Sequence, residues 1–145
     1  MPHARKQVRD AVIALVTGLT TTTTNVFNNR LYDFKEADLP CLNVLDLPDD
    51  ESVELSEMSG KTNQRMLSLR IEGRAKATAN LDDTLDLIAS EVETVLDGAE
   101  PAGAKLCTLV STSKQQSEGS QPHGLITLDF DISYNTVRGA PDTIV

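Results

Sequence analysis

Hydrophobic and polar residues alternate almost without error from Leu125 to Asn135. Ile126, Leu128, Phe130, Ile132 and Tyr134 fall on one side, and Thr127, Asp129, Asp131, Ser133 and Asn135 on the other. Side chains in a strand alternate between faces, so this run predicts a long β-strand with one dry face and one wet, acidic face. Residues 65–75 repeat the pattern, with Leu67, Leu69 and Ile71 set against Ser68, Arg70, Glu72 and Arg74. Helical spacing replaces it twice. Val8, Val12, Leu15 and Leu19, flanked by Ala11 and Val16, predict a first helix over about 3–19. Leu81, Leu85, Ile88, Val92 and either Val95 or Leu96 predict a second, with Asn80 as N-cap, Asp82 and Asp83 in the first turn, and Gly98 as its stop.

Shorter signals fill the gaps. Residues 26–32, 41–47 and 105–113 read as strands, the second more continuously apolar and therefore central. The Thr20–Thr24 run reads as an exposed extended connector. Residues 49–64 are polar and acidic, with Gly60 and Asn63 as breakers and a short apolar alternation at Val53 and Leu55. They predict a hairpin arm or a loop. Lys114 to Gly124 reads as a polar loop, and residues after Val137 carry no core pattern. The order helix, strands, helix, strands predicts an α+β fold. The economical form is a two-layer α/β sandwich, mainly an antiparallel sheet with both helices packed on one face. The expected division is one domain over 1–138 and a C-terminal segment over 139–145.

Composition narrows what such a domain does. The 145 residues, 39% hydrophobic, suffice for one core. Aromatics are only 3%, with no Trp, too few for a base-stacking platform. A net charge of −9, from 22 acidic and 13 basic residues, disfavours binding to nucleic acid or to an anionic membrane. No apolar stretch approaches the length of a membrane span. Cys41 and Cys107 lie in apolar strand-like runs and are expected to be free buried thiols in a soluble protein of a reducing cytoplasm.

Catalytic chemistry finds no support. His3 and His123 have no partner at metal-ligand spacing. Gly60-Lys61-Thr62 ends like a phosphate-binding loop but lacks its first glycine and preceding strand. Asp49, Asp50, Glu51, Glu54 and Glu57 lack the alternation and mid-loop glycine of a calcium loop, and read as a solvated acidic segment. Asp129 and Asp131 fall on the same side as Arg70 and Arg74 would on a paired strand, so cross-strand charge pairs account for them. No catalytic, metal or cofactor residue is expected. These nine charged residues are candidates for an interface instead.

Several stretches resemble small tail proteins of long-tailed bacteriophages. They are His3 to Val12, Ala37 to Leu42, Arg70 to Lys76 followed by Leu81 to Asp86, and Gly119 to Gly124. The group is the minor tail protein, or tail terminator, family. The resemblance implies a structural virion protein with no active site, assembled in the host cytoplasm and placed at the head-proximal end of the tail. It implies a homo-oligomeric, hexameric ring that caps the tail tube, stops its polymerisation and meets a head-side connector, with DNA passing through the lumen unbound. A ring needs a heterologous contact, and a two-signed polar sheet face with an extended segment suits one. Two other readings are a different neck or connector subunit and a cellular small-ligand-binding regulatory domain, the latter requiring a concave apolar pocket.

Overall fold

A computed structural model describes residues 2–30, 39–55, 60–76, 79–117 and 123–145, with backbone only for 47–50 and 117. The elements are α1 (Ala4–Val16), β1 (Val26–Asn28), β2 (Cys41–Leu55), β3 (Thr62–Lys76), α2 (Leu81–Leu96), a 3₁₀ turn (Pro101–Gly103), β4 (Leu106–Ser117), β5 (His123–Val137) and β6 (Ala140–Ile144). The fold is α+β. Its sheet runs β1-β2-β3-β5-β4, with β6 added to β5. It is mixed, because β1 lies parallel to β2 while every other pair is antiparallel.

The two long alternating strands pair along their whole lengths, from Thr62 opposite Val137 to Lys76 opposite His123. Their dry residues form one continuous face. Leu67, Leu69, Ile71 and Ala75 of β3 and Ile126 to Tyr134 of β5 are buried in a single cluster with the stripes of both helices. Each large aliphatic side chain buried there is worth about 1.5–3 kcal/mol over leaving it in water. Residues opposite these on the pleat form the polar face.

α2 buries the predicted stripe, Leu81, Leu85, Ile88, Val92 and Leu96. Its N-cap differs from expectation. Asn80 stands at the cap position with φ 59°, and its side chain caps nothing. Instead its carbonyl accepts from the Thr84 amide at 3.1 Å. α1 is shorter than predicted and turned differently. Its stripe is Ala4, Val8, Val12 and Val16 at strict four-residue spacing, which leaves Leu15 exposed.

The threonine run is not an extended connector. The amide of Gly18 donates to the Thr23 carbonyl at 2.7 Å and that of Thr23 to the Leu19 carbonyl at 2.8 Å, closing a tight turn. Thr23 takes a positive φ of 50° to make it, and Thr22 is buried. The Thr21 amide fastens the turn to α2 through Glu91 Oε1 at 3.0 Å.

Strands reach further than the sequence pattern suggests. β2 continues past the Pro48 turn signal to Leu55, so 51–55 and 62–67 form a hairpin. β4 runs on to Ser117, and residues 140–144 pair with β5. Residues 31–38 lie outside the described residues, and with them the end of the strand expected over 26–32.

Candidate functional site

The polar face carries the cross-strand pairing that alternation predicts, with one change of partner. Register sets Arg70 opposite Asp129 and Ser68 opposite Asp131. Arg70 donates to both carboxylate oxygens of Asp129, at 2.9 and 3.3 Å, a bidentate geometry. Ser111 of β4 adds a bond to Asp129 at 3.2 Å. Asp131 accepts from Ser68 Oγ at 2.7 Å, not from an arginine. Arg74 stands opposite Leu125 and bonds instead to Glu72 on its own strand, at 3.4 Å. On this face Arg70 and Arg74 each meet a carboxylate, while the Asp131 charge is held by a serine hydroxyl.

A second charge cluster lies on the buried face, and sequence reasoning missed it. Between Asp46 and Glu51, β2 bulges: residues 47–50 stand against Ser68 alone. Asp46 therefore pairs with Leu69 and Glu51 with Leu67, consecutive positions on the buried face. That spacing is about 6.8 Å along a strand, close to the rise of about 6 Å over four helical residues. Arg5 and Arg9, four apart on α1, match it. Arg9 bonds to Asp46, and Arg5 to Glu51 at 2.8 Å. Tyr134 Oη donates to Glu51 from below, and Arg65 lies 3.7 Å away while donating to Thr136 at 3.0 Å.

Glu51 is thus a shielded carboxylate, its side chain 9% exposed, that fastens α1 to the sheet. Its neighbour Glu54 is exposed on the hairpin. Asp49 and Asp50 lie in the bulge, where only the backbone is described, and Glu57 lies outside the described residues. Burial first, then the bond to Glu51, pushes the Tyr134 phenol well above its ordinary value. Burial likewise pushes the Cys107 thiol up to about 12, with Asp97 adding to it, so it stays protonated and unreactive. Both cysteines are free and buried.

His3 caps α1 through Nδ1, which accepts from the Arg5 amide at 3.0 Å. Burial, then the charges of Arg5 and Arg65, hold its pKa below the ordinary 6.5, with Glu51 opposing. The neutral ring is the form that fits, so its contribution is complete above about 6.5 and is lost as pH falls through the lowered value. The protection of the Arg5 amide, its intrinsic exchange rate at each pH divided by the observed rate, should therefore fall as pH drops from about 7.5 to about 5. His3→Ala should leave that amide poorly protected throughout. A wild-type Arg5 amide whose protection is flat over this range would contradict the cap.

Among the described residues no group of three or more His, Cys, Asp or Glu could hold a metal ion. No described helix is long and apolar enough to cross a membrane. The polar face presents Arg70, Glu72, Arg74, Asp129 and Asp131, and the β2–β3 hairpin exposes Val53, Glu54 and Leu55. A model of the family described as phage minor tail protein U matches residues 3–134. Among solved structures, a chain of the virion of a native gene transfer agent particle superposes with a TM-score of 0.54 at 12% identity, over 90% of this chain and 95% of that one. At that identity the likeness is one of fold. No sequence among curated proteins matches.

Proposed function

The chain belongs to the phage minor tail protein U family, and on that premise we propose that it is the tail terminator. It is a structural component of a bacteriophage tail and not an enzyme. In the proposed role, copies close into a hexameric ring on the finished tail tube, block addition of further tube subunits and offer the surface to which the head-side connector joins. The ring sits at the head-proximal end, assembled there in the host cytoplasm.

The observation that carries this reading is the hairpin of β2 and β3. Its outer part contributes nothing to the core, yet it holds Val53 and Leu55 about half exposed, at 47% and 57%. Two apolar residues kept in water on the outer strand at one end of the sheet suit a contact with another subunit. The helices form one layer against the buried face in this reading, which leaves the polar face and the sheet edges for neighbours. DNA passes through the lumen without being gripped. The charge of −9 and the lack of clustered Lys and Arg favour passage over binding.

Tail assembly tests the proposal. Replacing Val53 to Lys61 with a short Gly/Ser linker spares Glu51 and Arg65 but removes the pairing of Val53, Glu54 and Leu55 with β3, so the subunit should stay folded at a stability loss larger than a change of loop length alone would cause. Phage carrying only that variant should make tails of uncontrolled length, or tails that join no heads. Normal tails from a folded variant would remove the hairpin from the mechanism. Normal tails from phage lacking the chain altogether would remove the terminator role.

A further inference from the structure

The described residues expose eight large hydrophobic side chains, and four of them fall at opposite margins of the sheet. Val53 and Leu55 lie at the outer end of β2, opposite Arg65 and Asn63 and so on the buried-face side, beyond the reach of the core. Leu106 and Val110 lie on β4, the last strand at the other margin, 53% and 58% exposed. Leu106 stands opposite Ser133, on the polar-face side, and Val110 is the extra residue of a bulge between Leu109 and Ser111.

Charge separates the two margins as well. Residues 49–57 of the sequence hold Asp49, Asp50, Glu51, Glu54 and Glu57 and no basic residue, while 105–117 hold Lys105 and Lys114 and no acidic one. Of the acids, Glu51 is committed inward, and Glu54 stands exposed between Val53 and Leu55. Lys105 is exposed at the start of β4. Lys114 is committed within the subunit, 2.7 Å from Asp86 and 3.9 Å from Asp82 of α2.

We infer that the hairpin end of one copy seats on the β4 margin of the next, with Val53 and Leu55 against Leu106 and Val110 and Glu54 beside Lys105. The occupant is a second copy of this chain, and the inference rests on the ring reading above. Two unlike apolar patches, one beside the exposed Glu54 and the other beside the exposed Lys105, form a head-to-tail contact, the kind that closes a ring. Their placement on opposite faces of the pleat fits the same geometry. A like-to-like contact would instead set Glu54 against Glu54, or Lys105 against Lys105.

Cross-linking in assembled tails tests this. A chain carrying Leu55→Cys and Leu106→Cys is treated with a short bismaleimide. Both substitutions are at exposed positions, and the native Cys41 and Cys107 are buried, the latter with its pKa raised to about 12. Denaturing gels should show a ladder from dimer up to the full ring, lost when either new cysteine is omitted. Intact rings under the microscope with no ladder would overturn the contact and leave the ring. A dimer from the Leu106→Cys chain alone would overturn it in favour of like-to-like pairing. Tails with no ring of this chain would remove the ring reading itself, and the contact with it.

Discussion

Glu51→Leu should destabilise the subunit by roughly 2–4 kcal/mol, whereas Glu54→Ala, three residues on, should stay within about 0.5 kcal/mol. The difference follows from what each carboxylate touches. Removing the Glu51 oxygens takes the nearby carboxylate from Arg65, 12% exposed and still bonded to Thr136, and the acceptor from the Tyr134 hydroxyl, whose residue is buried. Breaking a fully buried pair from one side costs about 3–5 kcal/mol, because the remaining charge is left unmatched. The figure here is set lower because Arg5 is 44% exposed and can turn to water. Leucine also adds an apolar group beside Leu67, which returns part of the loss. Glu54 stands in solvent on the hairpin and leaves nothing behind. Urea unfolding of both variants measures the difference. Equal midpoints would mean that α1 is held by its apolar stripe alone.

Gly73→Ala should cost about 1–2 kcal/mol, while Gly124→Ala should be close to neutral. Both glycines lie under α2, in β3 and β5. A Cβ at Gly73 would stand 2.7 Å from Ile88 Cγ2 and 3.0 Å from Ile126 Cγ2. Those methyls sit on β-branched side chains with stiff χ1, so relief requires α2 or β5 to shift. A Cβ at Gly124 would meet Leu85 Cδ1 at 2.6 Å and two Leu81 atoms at 3.2 Å. The closest of these is the far end of the Leu85 side chain, which is buried but, being unbranched at Cβ, turns more readily than either isoleucine. In each case alanine also stiffens the unfolded chain, offsetting about 0.4–1 kcal/mol. Thermal unfolding of the two variants side by side gives the test. A Gly73→Ala protein as stable as wild type would show that α2 is not seated as closely as described.

Period alone made much of this fold legible. Alternation over 125–135 and 65–75 marked the two long strands and their faces, because one side of each is packed and the other polar. It also put Asp129 and Asp131 on the same side as Arg70 and Arg74, and the register then set Arg70 against Asp129. Spacing at four and three residues marked α2 residue by residue. What escaped is what period does not encode. The bulge at 47–50 shifts the register of β2, so an acidic residue in a polar stretch arrives on the buried face; nothing local in Asp49-Asp50-Glu51 signals it. The matching signal was present in α1, as Arg5 and Arg9 one turn apart beside an apolar stripe. The threonine run misled because β-branched residues suit extended chain, and one positive φ at Thr23 folds it back. The strand end at 114–117 is polar, and 140–144 sets only Ile144 against the core, so backbone pairing holds both with little hydrophobic pattern.

The central claim is a closed ring of this chain at the head-proximal end of the tail. Electron cryo-microscopy of intact tails, with density at that end resolved well enough to fit the subunit, tests it most directly. The account predicts a single ring of six copies capping the tube, hairpins reaching to neighbouring copies and an open, DNA-filled centre. Density for the chain along the tube, at the distal tip, or as isolated copies without a ring would contradict it.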